Sequence, residues 1–105
     1  MNALSSFLNS VGGDRLTAEQ EIELAHQIAA GDDKAHERMI VSNIHLVVHI
    51  AKHYGTDSNN FEDNISNGII GLMEAVEKFD TSFNCRFSTY AVWWIKRRIR
   101  RGIID

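Results

Sequence analysis

Residues Phe87 to Arg101 read FSTYAVWWIKRRIRR, and the reading of the whole chain starts from them. Four aromatic rings, Phe87, Tyr90, Trp93 and Trp94, are interleaved with Lys96, Arg97, Arg98, Arg100 and Arg101, five of the 11 Lys+Arg in 105 residues. On a helical period Ala91, Val92, Ile95 and Ile99 form an apolar side. Thr89, Tyr90, Trp93, Lys96, Arg97, Arg100 and Arg101 gather opposite, with Trp94 and Arg98 at one boundary. Ser88 is placed to N-cap this helix, with Phe87 and Val92 as a hydrophobic staple. Rings set among cations suit a surface that stacks on bases and neutralises phosphates.

Two plainer accounts compete. A basic amphipathic helix with tryptophan can lie on a membrane surface, but its apolar side is needed for the core of the preceding helices. Alternatively the tryptophans are packing residues and the arginines only keep the surface solvated. The charge distribution favours nucleic acid. Met1 to Cys85 holds 13 acids and 5 bases, a net −8, whereas Arg86 to Asp105 holds 6 bases and 1 acid, a net +5. Such asymmetry suits a polyanion at one end of the molecule.

Apolar content of 44% and charged content of 24% fit one globular domain with a modest core. There is no apolar run of membrane-spanning length and no signal-peptide pattern. The lone Cys85 fits a reducing cytoplasm. There is no nucleophile–base arrangement, phosphate loop or metal cage, so neither catalysis, a cofactor nor a metal is expected.

The rest of the chain reads as helices, without proline. Leu4, Phe7, Leu8 and Val11 suggest a short helix before Gly12-Gly13. Thr17 and Gln20 have capping-box spacing and open a helix through Ile22, Ala25, Ile28 and Ala29 to a stop at Gly31. A second helix is predicted from about Lys34 to His53, ending near Gly55, with Met39, Asn43, Leu46, Val47, Ile50 and Tyr54 on its core side. Asn43 is the odd member, either a satisfied core asparagine or a ligand contact. His45, His49 and His53 follow at i, i+4, but three ligands on one straight helix cannot surround an ion, and a solvated or phosphate-facing stripe is the better reading.

After a polar loop at Gly55 to Asn60, a third helix is predicted from about Phe61 to Phe79, burying Phe61, Ile65, Gly68, Leu72, Val76 and Phe79. Its other side presents Asp63, Ser66, Asn67, Ile70, Glu74 and Glu77, with Met73 at the margin. That side reads either as a protein-binding face or as an ordinary solvated one. Asp80 to Arg86 is a loop. The expected fold is all-α, a compact domain of about four main helices.

The stretches NIHLVVHIAKHY, GIIGLMEAVEKFD and FSTYAVWWIKRRI, in this order and spacing, resemble the second conserved region of the bacterial sigma-70 transcription initiation factors. SFLNSVGGDRLTAEQEIELAHQIAAGD resembles the segment that precedes it. The resemblance divides the chain at 1–31 and 32–105. It implies an all-helical domain that docks on the coiled coil of the polymerase β′ subunit and holds open the non-template strand of the minus-10 promoter element. By position it implies that Phe87, Thr89, Tyr90 and Trp93 help capture a flipped adenine, and that Trp93 and Trp94 abut the duplex edge. Asn43 and Leu46 would line a second base pocket and Lys96 and Arg101 would hold phosphates, with Arg86 a further DNA contact. Asp63, Ser66, Asn67, Ile70 and Met73 would face polymerase. Action in the bacterial cytoplasm follows.

Two departures qualify this. Arg97 and Arg100 occupy positions where family members read the upstream base pair of the element, and bidentate arginine favours guanine edges. DNISNG (residues 63–68) replaces an acidic, glutamine-bearing DLIQEG, which weakens the expectation of polymerase contact. The alternative function is a sigma-like interaction or regulatory module that no longer engages polymerase productively. The chain reads either as a fragment of a longer factor or as a naturally reduced one.

Overall fold

The computed structural model describes residues 15–55 and 58–104, and the short helix expected before Gly12 lies outside them. Five α-helices make up the described chain: α1 Ala18–Ala29, α2 Asp33–Val41, α3 Ile44–Lys52, α4 Ser58–Lys78 and α5 Phe87–Ile104. A single 3-10 turn, Thr81–Phe83, precedes α5. The all-α expectation holds. No described helix is long and apolar enough to cross a membrane.

The start of α1 follows from local chemistry. Thr17 Oγ1 accepts from Gln20 N at 3.1 Å, and Gln20 Oε1 accepts from Thr17 N at 2.8 Å, which satisfies two donors that a helix start leaves orphaned. The helix stops where Gly31 takes φ +94. Asp32 Oδ1 then caps α2, accepting from Lys34 N and Ala35 N.

The long second helix predicted from Lys34 to His53 is two helices. Asn43 Nδ2 donates to Met39 O at 2.8 Å, occupying the carbonyl that an unbroken helix would offer to the Asn43 backbone N–H. That N–H bonds Ile40 O instead, and Asn43 takes φ −115, ψ 7 at the corner. A short polar side chain has outcompeted the helix ladder locally. Burial continues through the break, because Met39, Ile44, Val47 and Ile50 all belong to the core.

The third predicted helix begins earlier than expected, at Ser58, and buries Ile65, Gly68, Leu72 and Val76 as its spacing requires, whereas Phe61 and Phe79 are only half-buried and Phe79 follows the helix end. It packs mainly on α5, whose Phe87, Ala91, Ile95 and Ile99 are fully buried. Two glycines set the approach. A Cβ on Gly68 would stand 2.6 Å from Val47 Cγ1, at the point where α3, α4 and α5 converge. A Cβ on Gly71 would run into the Trp94 carbonyl, so the α4 and α5 backbones touch there.

The start of α5 corrects a further expectation. Ser88 lies within the helix, which begins at Phe87. The cap comes from α1: Glu21 Oε1 accepts from Phe87 N at 3.1 Å. Phe87 is the first helical residue and packs edge-on against Phe79, with ring centroids 5.3 Å apart, rather than stapling Val92 from outside the helix.

Candidate nucleic-acid interface

With one side of α5 buried, the opposite side turns outward as a groove of about 560 Å³ lined by Thr89, Val92, Trp93, Lys96, Arg97, Arg100 and Arg101. Trp93 is 56% exposed, an unusual state for so large a ring. The Arg97 guanidinium carbon lies 5.1 Å from the Trp93 ring centroid, within cation–π range. Trp94 meets Trp93 edge-on at 5.0 Å and is half-buried. A flat ring, open on the surface and bordered by four cations, can stack on a base while the cations hold the adjoining backbone.

The rings continue as a chain behind Trp94. Tyr90 is 6.4 Å from Trp94, 5.1 Å from Phe83 and 5.8 Å from Phe79, and its hydroxyl reaches Lys78 O at 3.5 Å. Lys78 Nζ stands 6.0 Å over Trp94. Phe83, 47% exposed, and Lys78 thus join the aromatic surface although no reading of the α5 stretch points to them. The available signal was a lone aromatic within the polar loop DTSFNCR.

Several expected DNA contacts have other duties. Phe87 is 0% exposed, so no base can stack on it; it supports the site from beneath. Arg86 gives Nε and Nη2 to the Glu21 carboxylate at 3.0 and 3.1 Å, and Nη2 also to Leu16 O, which ties α1 to the start of α5. Asn43 is buried with its amide engaged on Met39 O, the satisfied-asparagine reading. Leu46 is half-buried beside it, and neither residue lines the α5 groove. Arg100 Nε donates to Tyr54 Oη at 3.1 Å while its side chain still borders the groove.

On α4, Asp63, Ser66, Ile70 and Met73 are exposed along one stripe, and Asn67 is half-buried against Gly102. Glu74 departs from the expected outward acids: Arg98 grips it at 2.6 and 3.0 Å. That hydrogen bond holds the Glu74 carboxyl below the usual glutamate range and raises the Arg98 guanidinium. His45 is half-buried, and burial followed by the charge of Arg15 lowers its pKa, which opposes a cationic, phosphate-facing role. The exposed His49 and His53 rings meet edge-on at 5.3 Å. Among the described residues no group of three or more His, Cys, Asp or Glu could hold a metal ion.

Comparison with known families matches this arrangement to two descriptions. "Sigma-70 region 2" covers residues 39–104, and "Sigma-70 factor, region 1.2" covers residues 3–34. The chain belongs to the sigma-70 family.

Among its sigma relatives, the RNA polymerase sigma factor SigA of Listeria monocytogenes and that of Listeria innocua are each 49% identical over 100 residues, 94% of this chain and 27% of the relative. The RNA polymerase sigma factor RpoS of Coxiella burnetii is 47% identical over 90 residues, 86% of this chain and 26% of the relative. The chain therefore spans about a quarter of the length of these sigma factors. The region 2 match runs from the end of α2 through α5 and includes the whole aromatic groove. Glu21 lies in the region 1.2 match, and its bonds to Arg86 and Phe87 fasten one sigma region to the other.

Proposed function

We propose that the chain is the promoter-opening part of an RNA polymerase sigma factor. In this reading residues 32–105 carry the core- and DNA-binding work and residues 1–31 brace it. The α5 groove binds the single non-template strand of the minus-10 element, with Trp93 as stacking platform, Tyr90 and Trp94 extending it, Lys96 and Arg101 on the backbone, and Arg97 and Arg100 at the upstream base pair. Thr89 borders the captured base. The α4 stripe of Asp63, Ser66, Asn67, Ile70 and Met73 docks on the β′ coiled coil of core polymerase, which places the action in the cytoplasm.

The observation that carries this reading is the exposed Trp93 ring among four groove cations, one of them within cation–π range. Flipping a base costs a few kcal/mol, and stacking on an aromatic ring returns about 1–3 kcal/mol, so an open ring offsets much of that cost.

One observation favours a second reading, a sigma-like regulatory module without productive polymerase engagement. Arg98 neutralises Glu74 beside the α4 stripe, and Asp63 is the one charged side chain among the five stripe residues. Titrating the chain with core polymerase, then with fork-junction DNA carrying a minus-10 element, separates the two. Binding to core and core-dependent binding of the fork support the sigma reading; absence of both supports the regulator.

A further inference from the structure

The turn between α4 and α5 holds an aromatic ring out to solvent. Phe83, its last residue, is 47% exposed. The turn itself is well fastened. Asp80 Oδ1 accepts from Ser82 N at 2.9 Å and Asp80 O from Phe83 N at 3.0 Å, and Asn84 then takes a left-handed φ of 59. Phe79 braces the Phe83 ring edge-on from 6.3 Å, and Tyr90 lies 5.1 Å away, tilted by 41°. A single exposed phenylalanine needs no explanation. Phe83 is not single, because Tyr90, Trp94 and Trp93 follow it at ring-to-ring steps of 5.1, 6.4 and 5.0 Å. The rings run without a gap from the turn to the α5 groove.

We propose that Phe83 is a second stacking platform for the single strand, taking an unpaired base other than the one on Trp93. A phenyl ring has neither donor nor acceptor, so it engages the face of a base and tolerates any of the four. Continuity with the groove names the occupant. A strand with one base on Trp93, followed along the rings past Trp94 and Tyr90, brings another base over the turn. Lys78 places its Nζ 6.0 Å over Trp94, midway in that series, where it can hold the intervening phosphate. Asp80 repels phosphate from the turn, so contact there is made by the base and not by the backbone. A protein partner fits less well. Ser82, Asn84 and Arg86 around Phe83 are exposed and polar, which leaves one apolar ring face, enough for a base and little for a protein anchor.

The inference rests on the reading of the α5 groove as the strand-capturing surface. Wild type, Phe83→Ala, Phe83→Leu, Phe83→Tyr and Trp93→Ala are each bound to core RNA polymerase from the organism that encodes the chain. Their affinities are measured for a fork-junction DNA and for a series in which each nucleotide of its single-stranded minus-10 strand is made abasic in turn. Phe83→Ala and Phe83→Leu are expected to bind the intact fork about 5- to 150-fold more weakly, and Phe83→Tyr, which restores a flat ring, to recover most of that loss. One abasic position should remove the difference between wild type and Phe83→Ala, and it should not be the position that does so for Trp93→Ala. Leucine still packs on Phe79 and Tyr90, so wild-type affinity in Phe83→Leu would show that Phe83 only props Tyr90, and would overturn the platform. It also carries the test should the alanine variant fail to fold. A shared abasic position, or a loss that appears equally in binding to core without DNA, overturns it too. A fork that needs Trp93 but not Phe83 overturns this inference alone. A wild-type complex that does not bind the fork overturns the groove reading, and this inference with it.

Discussion

Glu21 of α1 accepts a hydrogen bond from Phe87 N, 66 residues later in the chain, and so caps the helix that carries the aromatic groove. The same buried carboxylate holds Arg86 through two further bonds. Glu21→Ala would orphan the Phe87 N–H and release Arg86, an expected loss of about 2 kcal/mol in urea unfolding. Glu21→Gln keeps one acceptor and should lose about half as much. Arg86→Ala removes the cation and leaves the Glu21 carboxylate, only 7% exposed, with the Phe87 N–H alone, so it should cost at least as much as Glu21→Gln. A different order of the three variants would count against a cap supplied by α1.

Glycine inside a helix is ordinarily about 1 kcal/mol less favourable than alanine. At Gly71 the sign should reverse, since a Cβ there meets the rigid Trp94 carbonyl rather than a yielding side chain. Gly71→Ala is expected to destabilise by about 1–3 kcal/mol and to loosen the α4–α5 seam. Near-ultraviolet circular dichroism of the tryptophans beside that seam, read together with the urea midpoint, checks both effects.

The Glu74–Arg98 pair gives the acid limb a specific contributor. The Arg98 hydrogen bond lowers the folded-state pKa of Glu74, so the associated stability is fully present above the unfolded glutamate value of about 4.3 and fades as pH falls through the lower folded value. Both side chains are about one-third exposed, which limits the contribution to less than about 1 kcal/mol. Melting curves for Glu74→Gln should show a shallower loss of stability below about pH 4 than wild type, with the two profiles parallel above pH 5. Identical acid limbs would mean that the pair contributes nothing.

Arg97 and Arg100 both border the groove, and a bidentate guanidinium prefers guanine O6 and N7 to adenine by about 1–3 kcal/mol. Across fork-junction DNAs that differ only at the upstream base pair of the minus-10 element, the wild-type chain with core should favour guanine. Arg97→Gln should shift the preference towards adenine. If every fork responds equally to that change, Arg97 holds backbone and reads no base.

The sequence makes some of this legible and hides the rest for physical reasons. The capping box at Thr17 and Gln20 is local chemistry and is visible directly. So are the buried stripes of α4 and α5, because core spacing follows the helical period. The break at Asn43 is invisible to periodicity, since burial at Met39 and Val47 continues across it. The aromatic run looks like one functional group, yet Phe87 and Trp93 end in opposite environments. What separates them is contributed from elsewhere: Phe79, just after α4, covers Phe87, and Glu21 on α1 fixes where the helix begins. Arg86 is likewise engaged from elsewhere, by the Glu21 carboxylate and the Leu16 carbonyl.

The most direct test of the central claim is the affinity of the chain, in complex with core polymerase, for fork-junction DNA with a single-stranded minus-10 element, compared between wild type and Trp93→Ala. Trp93 is largely exposed, so its loss should leave the fold and the affinity for core unchanged. Loss of one stacking platform worth about 1–3 kcal/mol predicts a 5- to 150-fold weaker fork affinity, with fully duplex DNA little affected. Equal fork affinities for the two proteins would contradict the assignment of the α5 groove as the strand-capturing surface.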